Sequence, residues 1–122
     1  MKFPNSIFVR GHIPVINKLI EKPLDISEAY KLVKFVKSLK EKEDTFNQAK
    51  LKIFEKYGAQ DKEGNWFIKD KKKQAKAASE MDEILVIEED YELDSKIKVD
   101  NDIKLSAAEL MLLDDVIEIK EK

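Results

Sequence analysis

The only histidine of this 122-residue chain, His12, sits beside Gly11 and just before Pro14, at a corner where a general base or a metal ligand could be presented. It has no second histidine and no cysteine to complete a ligand set, and a lone histidine in a turn is more often structural or solvated. Three acidic clusters, Glu88-Glu89-Asp90, Asp100-Asn101-Asp102 and Asp114-Asp115, raise the question of a divalent cation. A calcium loop needs a ladder of oxygen ligands with Gly at its sixth position and Glu at its twelfth, and none of the three supplies it. Charged turns account for them as well. The one basic run, Lys69-Asp70-Lys71-Lys72-Lys73-Gln74-Ala75-Lys76, follows directly on Trp66 and Phe67. Lys71, Lys72, Lys73 and Lys76 could contact phosphates while Trp66 stacks on a base. Against this stand a single arginine, Arg10, and a net charge of -2, and the competing reading is a solvated helix face beside a core tryptophan.

Other chemistries lack their residues. Glycine occurs only at positions 11, 58 and 64, too dispersed for a phosphate-cradling loop. Ser6, Ser27, Ser38, Ser79, Ser95 and Ser106 stand in no nucleophile-elbow context. The absence of cysteine removes thiolate nucleophiles, thiolate metal sites and disulfides together. No residue is therefore assigned a catalytic, cofactor-binding or metal-binding role; no cofactor is expected, and the chain is expected not to be an enzyme.

The elements that position these residues follow from spacing. Ser6-Ile7-Phe8-Val9-Arg10 leans towards a short strand closed by Gly11, and Pro14 suits the first turn of a short helix with Ile13, Ile16, Leu19 and Ile20 inward. After Pro23, Asp25-Ile26-Ser27-Glu28 has the form of a capping box. A long helix starts there: Ala29, Leu32, Val33, Phe35, Val36, Leu39, Phe46, Ala49, Ile53 and Tyr57 recur at three and four residues, and Gly58 stops it. From Lys40 to Thr45 it has nothing to bury. The spacing predicts one continuous helix over 26–57, roughly 48 Å long at about 1.5 Å per residue, which projects or packs in an oligomer; the alternative is a break into an antiparallel pair.

Gln60 to Asp70 reads as a β-hairpin turning at Lys62-Glu63-Gly64-Asn65, with Trp66-Phe67-Ile68 returning. Asp70 then caps a helix running from Lys71 to about Glu83. Helix end and strand compete for Ile84-Leu85-Val86-Ile87. From Tyr91 to Asp100 apolar and polar residues alternate, the mark of a strand with one buried and one wet face. Ser106-Ala107-Ala108-Glu109 is a second capping box, opening a helix with Leu110, Leu112 and Leu113, and Val116-Ile117-Glu118-Ile119 suits a last strand. The expected class is α+β: one long helix in the N-terminal half, a β-hairpin, short helices and a small antiparallel sheet, in a single domain over residues 1–122.

Charge is unevenly spread. Residues 1–79 hold 18 Lys and Arg against 10 Asp and Glu, whereas 80–122 hold 5 against 15. Such a split either folds back on itself or offers surfaces of opposite sign. The start of the chain lacks a signal-peptide h-region, since Arg10, His12 and Asn17 interrupt its apolar residues, and no stretch is apolar enough to span a membrane. Without either, no membrane partner is expected.

The stretch from Ile16 to Ile68 resembles an uncharacterised family of short proteins encoded by phages and prophages of Gram-positive bacteria. The residues that carry the likeness are Asn17-Lys18-Leu19, Pro23, Ala29-Tyr30-Lys31-Leu32-Val33-Lys34, Phe46 and Glu55-Lys56-Tyr57-Gly58, followed by Asp61, Gly64 and Asn65. The resemblance implies a viral origin, a place in the host cytoplasm or the virion, and no assigned activity or site residue.

Together these point to a non-enzymatic protein acting through surfaces, as a virion structural or assembly component that binds further copies of itself or other virion proteins. Leu32, Phe35, Val36, Leu39, Phe46 and Ile53 would supply contacts within or between subunits. The runner-up is an inhibitor of a host defence or regulatory protein, in which Glu88, Glu89, Asp90, Glu92 and Asp94 imitate nucleic-acid charge or cover a basic groove. Nucleic-acid binding through residues 66–76 is the third reading.

Overall fold

A computed structural model describes residues 1–120. Its elements are β1 (Lys2–Pro4), a 3-10 turn (Asn5–Phe8), α1 (His12–Ile20), α2 (Ile26–Tyr57), β2 (Ala59–Gln60), β3 (Trp66–Phe67), α3 (Lys71–Leu85), β4 (Glu88–Asp90), β5 (Ile97–Val99), α4 (Ala107–Leu112) and β6 (Ile117–Ile119). The class is α+β, with helix predominant. No helix among the described residues is long and apolar enough to cross a membrane.

The long helix is continuous over its 32 residues and does two jobs. Its first half lays Leu32, Phe35 and Leu39 against α1, β5 and the segment around Tyr91 and Leu93, in a core that also takes Phe3, Ile7, Leu19, Leu113 and Val116. Phe35 lies at the centre of an aromatic cluster, 5.8 Å from Phe3 and 5.7 Å from Tyr91 between ring centroids. The second half buries Phe46 and Ile53 and packs against α3, with Phe46 stacked on Phe8 at 5.4 Å. In the charged stretch between the halves Lys40, Glu41, Asp44 and Thr45 are exposed, while Lys42 is half-buried and pairs with Glu89 of β4 at 3.5 Å.

Three two-residue or three-residue strand pairs complete the fold. β2 and β3 form the expected hairpin, where Gly64 takes the left-handed conformation that the turn requires (φ 84°) and Asp61 accepts hydrogen bonds from the backbone N–H groups of Glu63 and Asn65. β1 pairs antiparallel with β4, setting Lys2 opposite Asp90. β5 pairs with β6 in parallel through the α4 crossover, so not every strand pair is antiparallel.

Several local expectations are corrected. The Ser6–Arg10 region is mostly a 3-10 turn, because Asn5 is anchored from both its backbone and side chain to the end of α3: its N–H donates to the Ile87 carbonyl (3.0 Å) and its amide to that of Ile84 (2.9 Å). Asp25 does not cap α2 through its side chain; its carboxylate is held by Lys120. The expected strand over 91–100 is regular only at Ile97–Val99, although Tyr91, Leu93, Ile97 and Val99 are all buried as alternation demands. Helix takes Ile84 and Leu85, leaving Val86 and Ile87 exposed at the turn into β4. By contrast Asp70 caps α3, accepting from the N–H of Lys72, and Ser106 with Glu109 forms a complete capping box on α4.

Gly58 is fixed by space. A Cβ there would lie 2.8 Å from the Phe67 carbonyl oxygen and 2.9 Å from that of Phe54, both backbone atoms that cannot retreat independently. Gly58→Ala is expected to lower stability by about 1–3 kcal/mol, the usual cost of overpacking, read as a lower urea midpoint with an unchanged slope.

Candidate functional site

The expected interaction residues of α2 divide by face. Leu32, Phe35, Leu39, Phe46 and Ile53 are all buried in this chain's own interior, so their contacts are made within the molecule, and only Val36 among the six is partly exposed. Their periodicity marks the core stripe.

The apolar face of α2 is wider than that stripe. Successive residues are roughly 100° apart around a helix, so Ala29, Val33, Val36 and Lys40 flank the core stripe on one side and Lys34, Ser38 and Lys42 flank it on the other. On the first side α2 and the turn after α1 enclose a groove of about 250 Å³, floored by Leu32 and walled by Ile20, Leu24, Ala29, Val33 and Val36. Val33 is 51% exposed and Ile20 46%. The rim is basic: Lys22, Lys37 and Lys40 line it, and among the described residues no carboxylate does and none of the three takes part in an ion pair. An apolar surface with a ring of unneutralised ammonium groups suits a ligand that brings both apolar area and negative charge.

Three carboxylates of the acidic segment have a cation of this chain within 4.0 Å. Glu89 pairs with Lys42, Asp90 with the N-terminal ammonium at 3.4 Å and Glu92 with Lys34 at 4.0 Å. Glu88 and Asp94 are exposed and make no ion pair among the described residues. Among the described residues three carboxylates of the C-terminal part pair with lysines of α2: besides Glu89 and Glu92, Glu80 of α3 pairs with Lys56 at 2.8 Å, which holds the Glu80 carboxyl below the usual range.

The basic run on α3 is a separate surface. Lys71, Lys72, Lys73 and Lys76 are exposed and, among the described residues, form no ion pair, whereas Trp66 is half-buried with its ring stacked at 6.1 Å on Phe54. One face of that indole is already used. Phosphate contact is open to these lysines, but a stacking platform is not assembled beside them.

His12 lines a smaller cavity, about 110 Å³, with Arg10 and Asp115 over a floor that includes Phe3, Ile7 and Phe35. No local spacing signals this grouping, since Asp115 lies about a hundred positions further along the chain. Burial and then the Arg10 charge push the imidazole below its ordinary range while Asp115 opposes them, which favours the neutral form of His12. Its Nδ1 is buried without a hydrogen-bond partner among the described residues. No group of three or more His, Asp or Glu side chains among the described residues converges as a metal site would require.

Tyr91 is another buried polar group. Its ring packs on Phe3 and Phe35, its hydroxyl finds no partner among the described residues, and burial, with a smaller effect from the Glu89 charge, pushes its pKa up to about 12. The fold therefore favours the neutral phenol. That contribution is complete below the ordinary value of 10 and is lost as pH rises through about 12. Tyr91→Phe is expected to leave stability at pH 7 unchanged or slightly higher, and to flatten the decline in melting temperature across that alkaline window; an equally steep decline in the variant would assign the loss to other groups.

Set against known protein families, curated proteins and solved structures, the chain has no match in any of the three.

Proposed function

We propose that this protein is non-enzymatic and works by binding protein, with the lysine-rimmed groove beside α2 as its docking surface. The observation that carries this is the coincidence of exposed Val33 and Ile20 with three lysines that, among the described residues, have neither an ion pair nor a carboxylate beside them around one concavity. Its ligand is an acidic amphipathic segment: apolar side chains enter the groove while flanking carboxylates meet Lys22, Lys37 and Lys40. Apolar burial supplies affinity, and the charges set register and encounter rate. The resemblance to phage and prophage proteins makes virion structure or assembly the setting. An inhibitor acting through its acidic segment is the second reading; there Glu89, Asp90 and Glu92 each already have a cation of the chain beside them.

A synthetic peptide with apolar residues at helical spacing and flanking glutamates is expected to bind, more weakly as salt rises. Equal binding by a lysine-flanked version of the same peptide would contradict the reading.

A further inference from the structure

The groove does not suit a copy of itself, because two grooves face to face would oppose Lys22, Lys37 and Lys40 with their own counterparts and, among the described residues, no carboxylate between them. A different part of this chain has the complementary chemistry. At the turn between α3 and β4, Val86 is 73% exposed and Ile87 47%, an adjacent apolar pair that the core does not use. Glu83 and Glu88 flank it, both exposed and, among the described residues, in no ion pair. The knuckle is therefore apolar at its tip with carboxylates on either side, and the groove is apolar at its floor with ammonium groups on its rim.

The two surfaces lie beside different flanks of α2. Lys42 binds Glu89 and Lys34 reaches Glu92, which places the chain leaving the knuckle on one flank of the α2 core stripe. The groove lies on the other flank, and none of residues 83–88 lines it. A contact between unlike surfaces on opposite flanks cannot close on itself as a two-fold dimer; it repeats from copy to copy as a ring or an open filament.

We propose that the Val86–Ile87 knuckle of one copy seats in the groove of the next, so that the protein assembles head to tail. This rests on the groove being a docking surface and names its occupant as a second copy of this chain. Glu83 and Glu88 then lie against Lys37 and Lys40, and the assembly loosens as salt rises.

Sedimentation velocity across the micromolar range tests this with three proteins: the wild type, Val33→Asp in the groove and Val86→Asp on the knuckle. Both substitutions fall at exposed positions, and an unchanged melting temperature confirms that each variant is folded. The wild type is expected to give a concentration-dependent series of species, each variant alone a monomer, and an equimolar mixture of the two variants a 1:1 dimer. That dimer arises because each variant keeps one intact surface and neither can extend the chain. A monomeric wild type overturns the head-to-tail contact, as does a dimer that is lost in Val33→Asp and unaffected by Val86→Asp. If the wild type is monomeric yet binds the acidic peptide in a Val33-dependent way, only the choice of occupant falls; if Val33→Asp leaves peptide binding intact, the groove reading falls with it.

Discussion

Phe35→Ala is expected to lower the unfolding free energy by about 3–5 kcal/mol, the range for truncating a fully buried aromatic. Phe35 is 1% exposed and touches both Phe3 and Tyr91, so the substitution empties the point where β1, α2 and the segment after β4 converge. A domain of this kind has only about 5–15 kcal/mol to lose, so a large part of its stability goes with one ring. Urea unfolding read by circular dichroism gives the value. The control is Lys72→Ala, at an exposed position on α3, which is expected to stay within about 0.5 kcal/mol of wild type. A loss below about 1 kcal/mol for Phe35→Ala would place that side chain outside the core and return it to the role of an intersubunit contact.

The second large effect concerns binding. Val33→Asp combined with Lys37→Glu puts a carboxylate on the apolar wall of the groove and reverses one rim charge, and both positions are exposed. The pair is expected to weaken an acidic amphipathic peptide at least about tenfold, equivalent to about 1.4 kcal/mol, while the melting temperature stays close to wild type. Titration calorimetry separates this from unfolding. The same pair should strengthen binding of the lysine-flanked peptide, since the reversed charge now attracts it.

Where sequence and structure agree, the signal is local. The Asp70 cap, the Ser106–Glu109 capping box, the Gly64 turn and the Gly58 stop each depend on residues within a few positions of one another, and each is present. The alternation from Tyr91 to Val99 likewise gives the correct buried side chains even though only its last residues form a regular strand. The corrections arise where a distant partner decides. Glu88-Glu89-Asp90 has no intrinsic strand preference and becomes β4 because β1, at the other end of the chain, pairs with it. Asp25 has the sequence of a cap, yet Lys120 takes its carboxylate.

The candidate site was half legible for the same reason. Spacing identified the apolar positions of α2 but could not divide them, because the division depends on what covers each flank. Leu32, Phe35 and Leu39 are sealed by β5 and the aromatic cluster, whereas Val33 and Val36 are left beside the turn that brings in Leu24 and Lys22. The acidic segment is largely exposed as read, but local spacing could not place Lys34 beside Glu92 or Lys42 beside Glu89. His12 could not be joined to Arg10 and Asp115 without the fold.

The central claim, that the groove beside α2 is the docking surface, is tested most directly by amide chemical-shift mapping of the whole chain as the acidic peptide is added. Perturbations are expected to cluster at Ile20 to Leu24 and along Ala29 to Lys40, with Lys71 to Lys76 unchanged. Shifts concentrated at Lys71 to Lys76, or none along the groove, would contradict it.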